Sequence, residues 1–414
     1  MVTSSYPRFP GDTVGTFMEP IARGVAARGH EVHVVAPWHP AVARPAHDDG
    51  VHLHFYRYAP HRALNVFGYA GALRQDVSLR WSALAATPLA LAAGWRCARA
   101  VARRAKATIM HGHWVLPGGL TALLACRDLP LVVSLHGSDV YVAERHRLLG
   151  GAARAVFRRA AWVTACSADL RDRAVALGAS PALTEVVPYG VDAAQFHPIP
   201  AARTDVRARL GIGPEAPLVL AVGRLVRKKG FEYLIDAMAL LAGSAPAAVL
   251  VIAGGGDLEP ELRARATRAG LGGRVHFPGP VDHADVARLL AAADVVAVPS
   301  VRDDYGNVDG LPNVVLEAMA SGTPVVASRT GGIGDVVRDG ETGRLVPERD
   351  VRALADALAA WLRSPAERTA VGLRARRAVQ AQFLWTRVAE RFEAAYDRAV
   401  RSRRAGPLLA APPA

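Results

Sequence analysis

Several stretches of this 414-residue sequence place charged or imidazole side chains beside glycine just after an apolar run ends. One is Gly223-Arg224-Leu225-Val226-Arg227-Lys228-Lys229-Gly230, after the run Leu218–Val222 and before a helical pattern. A helix N-terminus already favours an anion through its backbone N–H groups and dipole. Arg224 can grip a phosphate bidentately and Lys229 adds a compact charge. A solvated basic loop is the other reading; the strand, basic loop, helix order favours phosphate. A second stretch runs from Pro299 to Leu311 and ends Asp309-Gly310-Leu311-Pro312-Asn313. It offers a carboxylate (Asp309), a glycine that lets a ligand approach the backbone (Gly310), and the amides around Leu311 and Asn313. Pro312 suits a first helical position. Glu317 follows inside the apolar helical run Val314–Met319 and needs partners if buried. Ribose hydroxyls and a nearby arginine both fit that need.

Two further stretches carry weaker signals. His136-Gly137-Ser138-Asp139 follows Leu131–Leu135, so His136 stands at a strand end where a crevice is expected; His111 and His113 are similar in kind but weaker. Gly11-Asp12-Thr13-Val14-Gly15-Thr16 precedes a helix, and amides near Gly11, Gly15 and Thr16 suit a phosphate or an acceptor hydroxyl as well as a structural turn. No set of ligands has metal-binding spacing, and Asp303-Asp304 is too little for a cation site, so no metal is expected.

Short apolar runs alternate with helical patterns along the whole chain, the signature of βαβ units and parallel sheets. Expected strands are Glu31–Ala36, Val51–Tyr58, Thr108–His111, Leu131–Leu135, Trp162–Ala165 and Glu185–Val187, then Leu218–Val222, Ala248–Ala253, Val275–Phe277, Val295–Val298, Val325–Ala327 and Arg344–Val346. Helices are expected at Phe17–Arg28, Gly119–Cys126, Phe231–Leu241, Glu261–Ala269, Ala284–Ala292 and Asn313–Ala320. Such sheets bind ligands beyond the carboxyl ends of their strands, which is where the stretches above fall. The Pro/Gly-bearing segment from His197 to Gly213 divides the chain into domains 1–197 and 198–384, and residues 404–414 read as a disordered tail. Val2–Pro7 reads as the end of a first strand, so a native start upstream of Met1 is expected.

Composition narrows the classes. The formal charge is +13 and hydrophobic residues make up 51% of the chain, enough for two cores. The arginines are scattered, and no nucleic-acid signature appears. Cys97, Cys126 and Cys166 suit a reducing, cytoplasmic setting. No secretory leader opens the chain, and the apolar run Leu84–Trp95 is too short to span a bilayer. The segment from Leu64 to Arg104, with Trp81, Trp95 and many arginines, is either an ordinary helical pair or a peripheral docking surface for the inner, anionic face of a membrane.

The sequence resembles glycosyltransferase family 4, retaining enzymes of the GT-B fold. The resemblance rests on His30 in Arg28–Val32, His136–Asp139, Val187–Asp192, Val222–Leu225 with Lys229-Gly230, Ala253–Gly256, Pro299-Ser300, Asp309–Ala320, Gly322–Val326 and Gly331-Gly332. It implies two facing Rossmann-like domains with parallel sheets and an interdomain cleft, an N-terminal acceptor domain, and a C-terminal donor domain. A last helix, residues 385–403, would pack back on the first domain. It also implies transfer of a sugar, with retention and without metal or cofactor, from a UDP- or GDP-sugar to a carbohydrate, lipid-linked or small-molecule hydroxyl, in polysaccharide or glycolipid synthesis. Arg224 and Lys229 would neutralise the diphosphate leaving group. Asp309 and the amides of Gly310, Leu311, Pro312 and Asn313 would hold the sugar, and Glu317 the ribose. His136 would reach the sugar, with Gly11, Gly15 and Thr16 near phosphate and acceptor. Asp309 stands where the family has Glu, and Tyr189 where it has Asn.

Two rival readings remain at this stage. Gly254-Gly255-Gly256 after a strand suggests a dinucleotide-dependent oxidoreductase, although the full glycine fingerprint is absent. A non-catalytic partner subunit of the same fold is the other, prompted by Asp309.

Overall fold

The computed structural model describes residues 1–404 apart from 13, 60, 62–64, 66, 67, 70–72, 75–77 and 80. Residues 405–414 of the expected 404–414 tail, residue 13 of the first glycine loop, and part of the segment 64–104 therefore lie outside the described residues, while Arg404 is the last residue of a helix rather than tail. The chain forms two compact units, one of Met1–Val187 with Thr386–Ala414 and the other of Pro188–Trp385.

The first unit is built on strands β1 (Val32–Pro37), β2 (His47–Asp48), β3 (Val51–Tyr56), the short pair β4 (Leu73–Arg74) and β5 (Ser78–Leu79), then β6 (Met110–His113), β7 (Leu131–Leu135), β8 (Trp162–Ala165) and β9 (Thr184–Val186). Order β1-β3-β2 makes one part of its sheet and β6-β7-β8-β9 another. Val2 joins them through parallel bridges to Val35 and Gly112. Its N–H donates to His111 O at 2.7 Å and its carbonyl accepts from His113 N at 2.8 Å. The helix Met18–Ala26 buries Met18, Ile21, Ala22 and Val25, the spacing of one helical stripe.

β6 lies two residues beyond its expected place. Its last residues, His111-Gly112-His113, are polar by type yet buried, because tertiary partners satisfy His111. Tyr396 OH lies 2.8 Å from His111 Nδ1, and Ser134 Oγ lies 2.7 Å from its Nε2 and 2.6 Å from Thr164 Oγ1. Tyr396 belongs to the helix Trp385–Arg404, which this chain of polar contacts ties into the first unit.

The second unit carries β10 (Leu218–Val222), β11 (Val249–Ala253), β12 (Val275–Gly279), β13 (Val295–Val298), β14 (Val325–Ser328) and β15 (Arg344–Val346). All their pairings are parallel, in the order β12-β11-β10-β13-β14-β15. Chain order runs outward in both directions from the β10/β13 pair, so that pair is the topological switch point where such sheets bind ligands. Near-continuous Val, Leu, Ile and Ala in β10, β11, β13 and β14 reflects cover on both faces. The helices Phe231–Leu241 and Val351–Arg363 share one core, in which Leu234, Ile235, Met238, Leu358 and Trp361 are all buried.

Beneath the amino ends of these strands sits a buried ion cluster. Asp294 accepts from Arg207 (2.8 Å), Arg203 (2.8 Å), Arg368 (2.9 Å) and the backbone N–H of Leu218 (2.8 Å). Arg207 is 2% exposed and also donates to Ala292 O at 2.8 Å, so protein groups stand in for water around its two terminal nitrogens.

Candidate functional site

The loop after β10 and the loop after β13 meet over the switch point. Gly230 makes the approach possible: it adopts φ +64°, and a Cβ there would fall 2.0 Å from Pro299 O. Val301 N–H donates to Lys228 O at 2.9 Å, pinning the loops together. Lys229 Nζ then lies 2.7 Å from Asp309 Oδ2 and Lys228 Nζ 3.3 Å from Asp309 Oδ1. Ser300 Oγ is 3.4 Å from Oδ2.

Burial alone would raise the Asp309 pKa. Lys229, then Lys228 and Arg224, outweigh it and hold the carboxyl well below the usual carboxylate range. Asp309 is therefore ionised at any physiological pH. With Arg224, Lys228 and Lys229 contributing three positive charges against this one negative charge, the loop junction keeps a net charge of +2 before Glu317 is counted.

Glu317 behaves differently. It lies in the helix Asn313–Ala320, and burial pushes its pKa up to about 7 while Lys229 pulls the other way. No described protein group hydrogen-bonds its carboxyl, so the structural-arginine alternative for Glu317 is not realised among the described residues. Gly310 and Leu311 are buried at the mouth of that helix, and Asn313 is its first residue. Pro312 caps the helix with extended geometry (φ −67°, ψ 120°), one residue earlier than its expected first helical position.

The remaining expected residues belong to the first unit. His136 follows β7 and packs among rings, 4.6 Å from Phe17, 4.8 Å from Trp114 and 5.3 Å from His113 between centroids. Its Nε2 lies 3.1 Å from His113 Nδ1. Burial lowers its pKa to about 3, so the ring is neutral near pH 7. Asp139 sits behind it and accepts from Val115 N at 2.6 Å and Gly137 N at 3.2 Å; burial raises its pKa to about 6. Gly11, Gly15 and Thr16 form the approach to Phe17, and Arg8 braces that loop through Asp12 at 2.7 Å. Phe17, which follows that loop, shares a ring cluster with His136.

Sequence reasoning did not single out Lys228. Within Arg227-Lys228-Lys229 nothing in the residue types separates the members, whereas packing turns Arg227 away to Glu261 at 2.7 Å. It also did not anticipate that Glu31, His33 and His52 converge, a grouping that needs the register of β1 on β3. The signal was present as Glu-x-His and His-x-His on neighbouring strands.

The parallel switch-point sheet with a cationic loop junction defines a doubly wound α/β protein whose ligand edge carries positive charge. The profile described as Glycosyl transferases group 1 matches residues 202–378, and that described as Glycosyltransferase Family 4 matches residues 14–195. The chain is 33% identical over 399 residues to a GDP-mannose-dependent alpha-(1-6)-phosphatidylinositol monomannoside mannosyltransferase of Mycobacterium tuberculosis, covering 94% of this chain and 95% of the relative. It is 34% identical over 431 residues to a D-inositol 3-phosphate glycosyltransferase of Kineococcus radiotolerans, covering 95% and 93%. Its structure is similar to sucrose-phosphate synthase from Thermosynechococcus elongatus, with TM-score 0.78, 25% identity, and 97% and 99% of the two chains covered. The fold of Anabaena HepE is also similar, with TM-score 0.74, 23% identity, and 96% and 98% covered. The chain belongs to glycosyltransferase family 4, with the GT-B fold, and is a glycosyltransferase.

That result removes the oxidoreductase reading. Gly254 has its own structural reason: a Cβ there would lie 1.9 Å from Gly223 O, so the residue lets two loops touch.

Proposed function

We propose that this glycosyltransferase takes its sugar from a UDP- or GDP-sugar and passes it, with retention, to a hydroxyl of a carbohydrate, lipid-linked or small-molecule acceptor. The observation that carries the donor class is the net positive junction of Arg224, Lys228, Lys229 and Asp309 at the β10/β13 switch point. A diphosphate bears the complementary charge. Arg224 and Lys229 stabilise the departing phosphate electrostatically as the glycosidic bond breaks. No resident metal is needed for that charge, because the cations already supply it. Asp309 orients Lys229 and, with the backbone of Gly310 through Asn313, holds the sugar. Glu317 accepts from the ribose hydroxyls. His136, neutral near pH 7, offers a hydrogen bond to the reacting sugar. Gly11, Gly15 and Thr16 serve the phosphate and the acceptor hydroxyl.

The mannosyltransferase and inositol-phosphate relatives support a glycolipid or inositol-type acceptor. Binding and turnover across a panel of UDP- and GDP-sugars test the donor reading. A raised melting temperature and product formation with one donor family are expected; no response to any member refutes it.

Membrane-face association is favoured by one further observation. A groove of about 780 Å³ between the helix Trp81–Arg104 and the segment 124–129 is lined by Trp95, Arg99, Arg103, Leu124 and Arg127. Arg158 and Arg159 line a neighbouring one. Trp95 and Leu124 are each 38% exposed, so apolar and basic groups share one surface. Among the described residues no helix is long and apolar enough to cross a membrane. An anionic bilayer suits this surface, each arginine near it adding about 1 kcal/mol. Wild-type protein should float with anionic vesicles at low salt, and Arg99→Glu/Arg103→Glu should not. Absence of wild-type flotation on such vesicles counters the reading.

A further inference from the structure

The amino-terminal end of β1 and β3 gathers imidazoles for which sugar transfer has no use. Strand pairing puts His33 opposite His52, and the antiparallel β2–β3 pair puts His52 opposite His47. Alternation along each strand adds Glu31 beside His33 and His54 beside His52 on the same face. The rings confirm the row: His33 and His52 stack at 4.5 Å between centroids, and His47 lies 4.6 Å from His52.

We infer that Glu31, His33 and His52 form a site for a divalent transition-metal ion of the zinc class. One ligand atom from each of Glu31, His33 and His52 lies within 4.8 Å of the others. Tetrahedral zinc with nitrogen and oxygen ligands holds those atoms about 3.3 Å apart, so modest side-chain rotation closes the site. The Glu31 Oε1 to His33 Nε2 separation is already 2.9 Å. Two imidazoles and a carboxylate are the donor set that suits zinc, and imidazole also takes nickel and copper.

The second layer is in place as well. His33 Nδ1 lies 3.0 Å from His54 Nε2. With the proton on His33 Nδ1, that nitrogen donates to His54, and the Nε2 lone pair of His33 faces the Glu31 carboxylate. Two electron-rich atoms at 2.9 Å require a proton or a cation between them. A metal ion takes the place of the proton and leaves His33 oriented by His54, the arrangement in which a ligating histidine donates its other N–H to a neighbour.

His33 and His52 are the second residues of β1 and β3, so the site occupies the end of the sheet opposite the carboxyl-end loops. An ion there clips β1 to β3, within the first unit, whereas Lys229, Asp309 and Glu317 belong to the other unit.

The test uses the full chain without a histidine tag, stripped with chelator and titrated with Zn²⁺ alone by calorimetry at neutral pH. One saturable equivalent in the micromolar range or tighter is expected. His52→Gln, and separately Glu31→Gln at the exposed edge, should each weaken it at least tenfold while melting temperatures without metal stay unchanged. Co²⁺ in place of Zn²⁺ should give visible d–d absorption of nitrogen and oxygen coordination, lost in His52→Gln. Wild-type affinity retained in both variants, a Co²⁺ spectrum of thiolate ligation from the cysteines, or no saturable wild-type binding would each overturn the inference.

Discussion

Replacing Lys229 by alanine separates the electrostatic account of this site from any account in which the loop is a solvated basic turn. Lys229 Nζ sits 2.7 Å from Asp309 Oδ2 with only 15% of its side chain exposed. It is the foremost of the charges that hold Asp309 ionised. Two effects follow from its loss. A preorganised charge aimed at a developing phosphate negative charge is worth about 3–4 kcal/mol, so kcat should fall about 100- to 1,000-fold. Asp309 should also move back toward an ordinary carboxylate pKa, with Lys228 at 3.3 Å left as its nearest cation. Lys228→Ala removes the more distant contact and should cost less. The assay is release of nucleoside diphosphate under saturating donor and acceptor, beside a thermal melt of each protein. Turnover of Lys229→Ala within threefold of wild type, with an unchanged melt, would refute the reasoning.

Three other outcomes follow from buried charges. The Glu317 carboxyl titrates near 7, so donor affinity should rise as pH increases through 7, and Glu317→Gln should flatten that dependence in a binding titration. The same raised pKa has a stability cost. The unfolded carboxyl ionises near 4.5 and the folded one near 7, so stability is greatest below 4.5 and is lost as pH rises to 7. The loss is at most about 3 kcal/mol, and Glu317→Gln should raise the melting temperature more at pH 8 than at pH 4; an equal change at both would contradict this. Asp294→Ala strands the buried Arg207 guanidinium and should cost about 3–5 kcal/mol in urea unfolding. A cost under 1 kcal/mol would mean that the arginine finds other partners.

The second unit was readable almost residue by residue because strands covered on both faces carry unbroken apolar runs; β10, β13 and β15 have their expected ends. β6 was displaced because burial there depends on Tyr396, some 285 residues away in sequence, which makes His111 acceptable inside. The loop junction of Arg224, Lys229 and Asp309 was legible as residue types at strand ends. What the residues could not show is which cations turn inward: Lys228 and Lys229 face Asp309 while Arg227 faces Glu261, a choice made by the contact between Gly230 and Pro299. The Glu31, His33 and His52 group was hidden for a similar reason. Strand register decides whether histidines twenty positions apart are neighbours, and register is a property of the pair of strands.

The last helix changes what a deletion means in this protein. Because Tyr396 is keyed to His111 and through it to Ser134 and Thr164, the closing residues serve as a missing piece of the opening half. The unit from Pro188 to Trp385 is in effect a guest spliced into a host whose two fragments must find each other after the guest has been synthesised. A ribosome cannot complete the first unit until it has read past Tyr396, with the whole of the second unit already made.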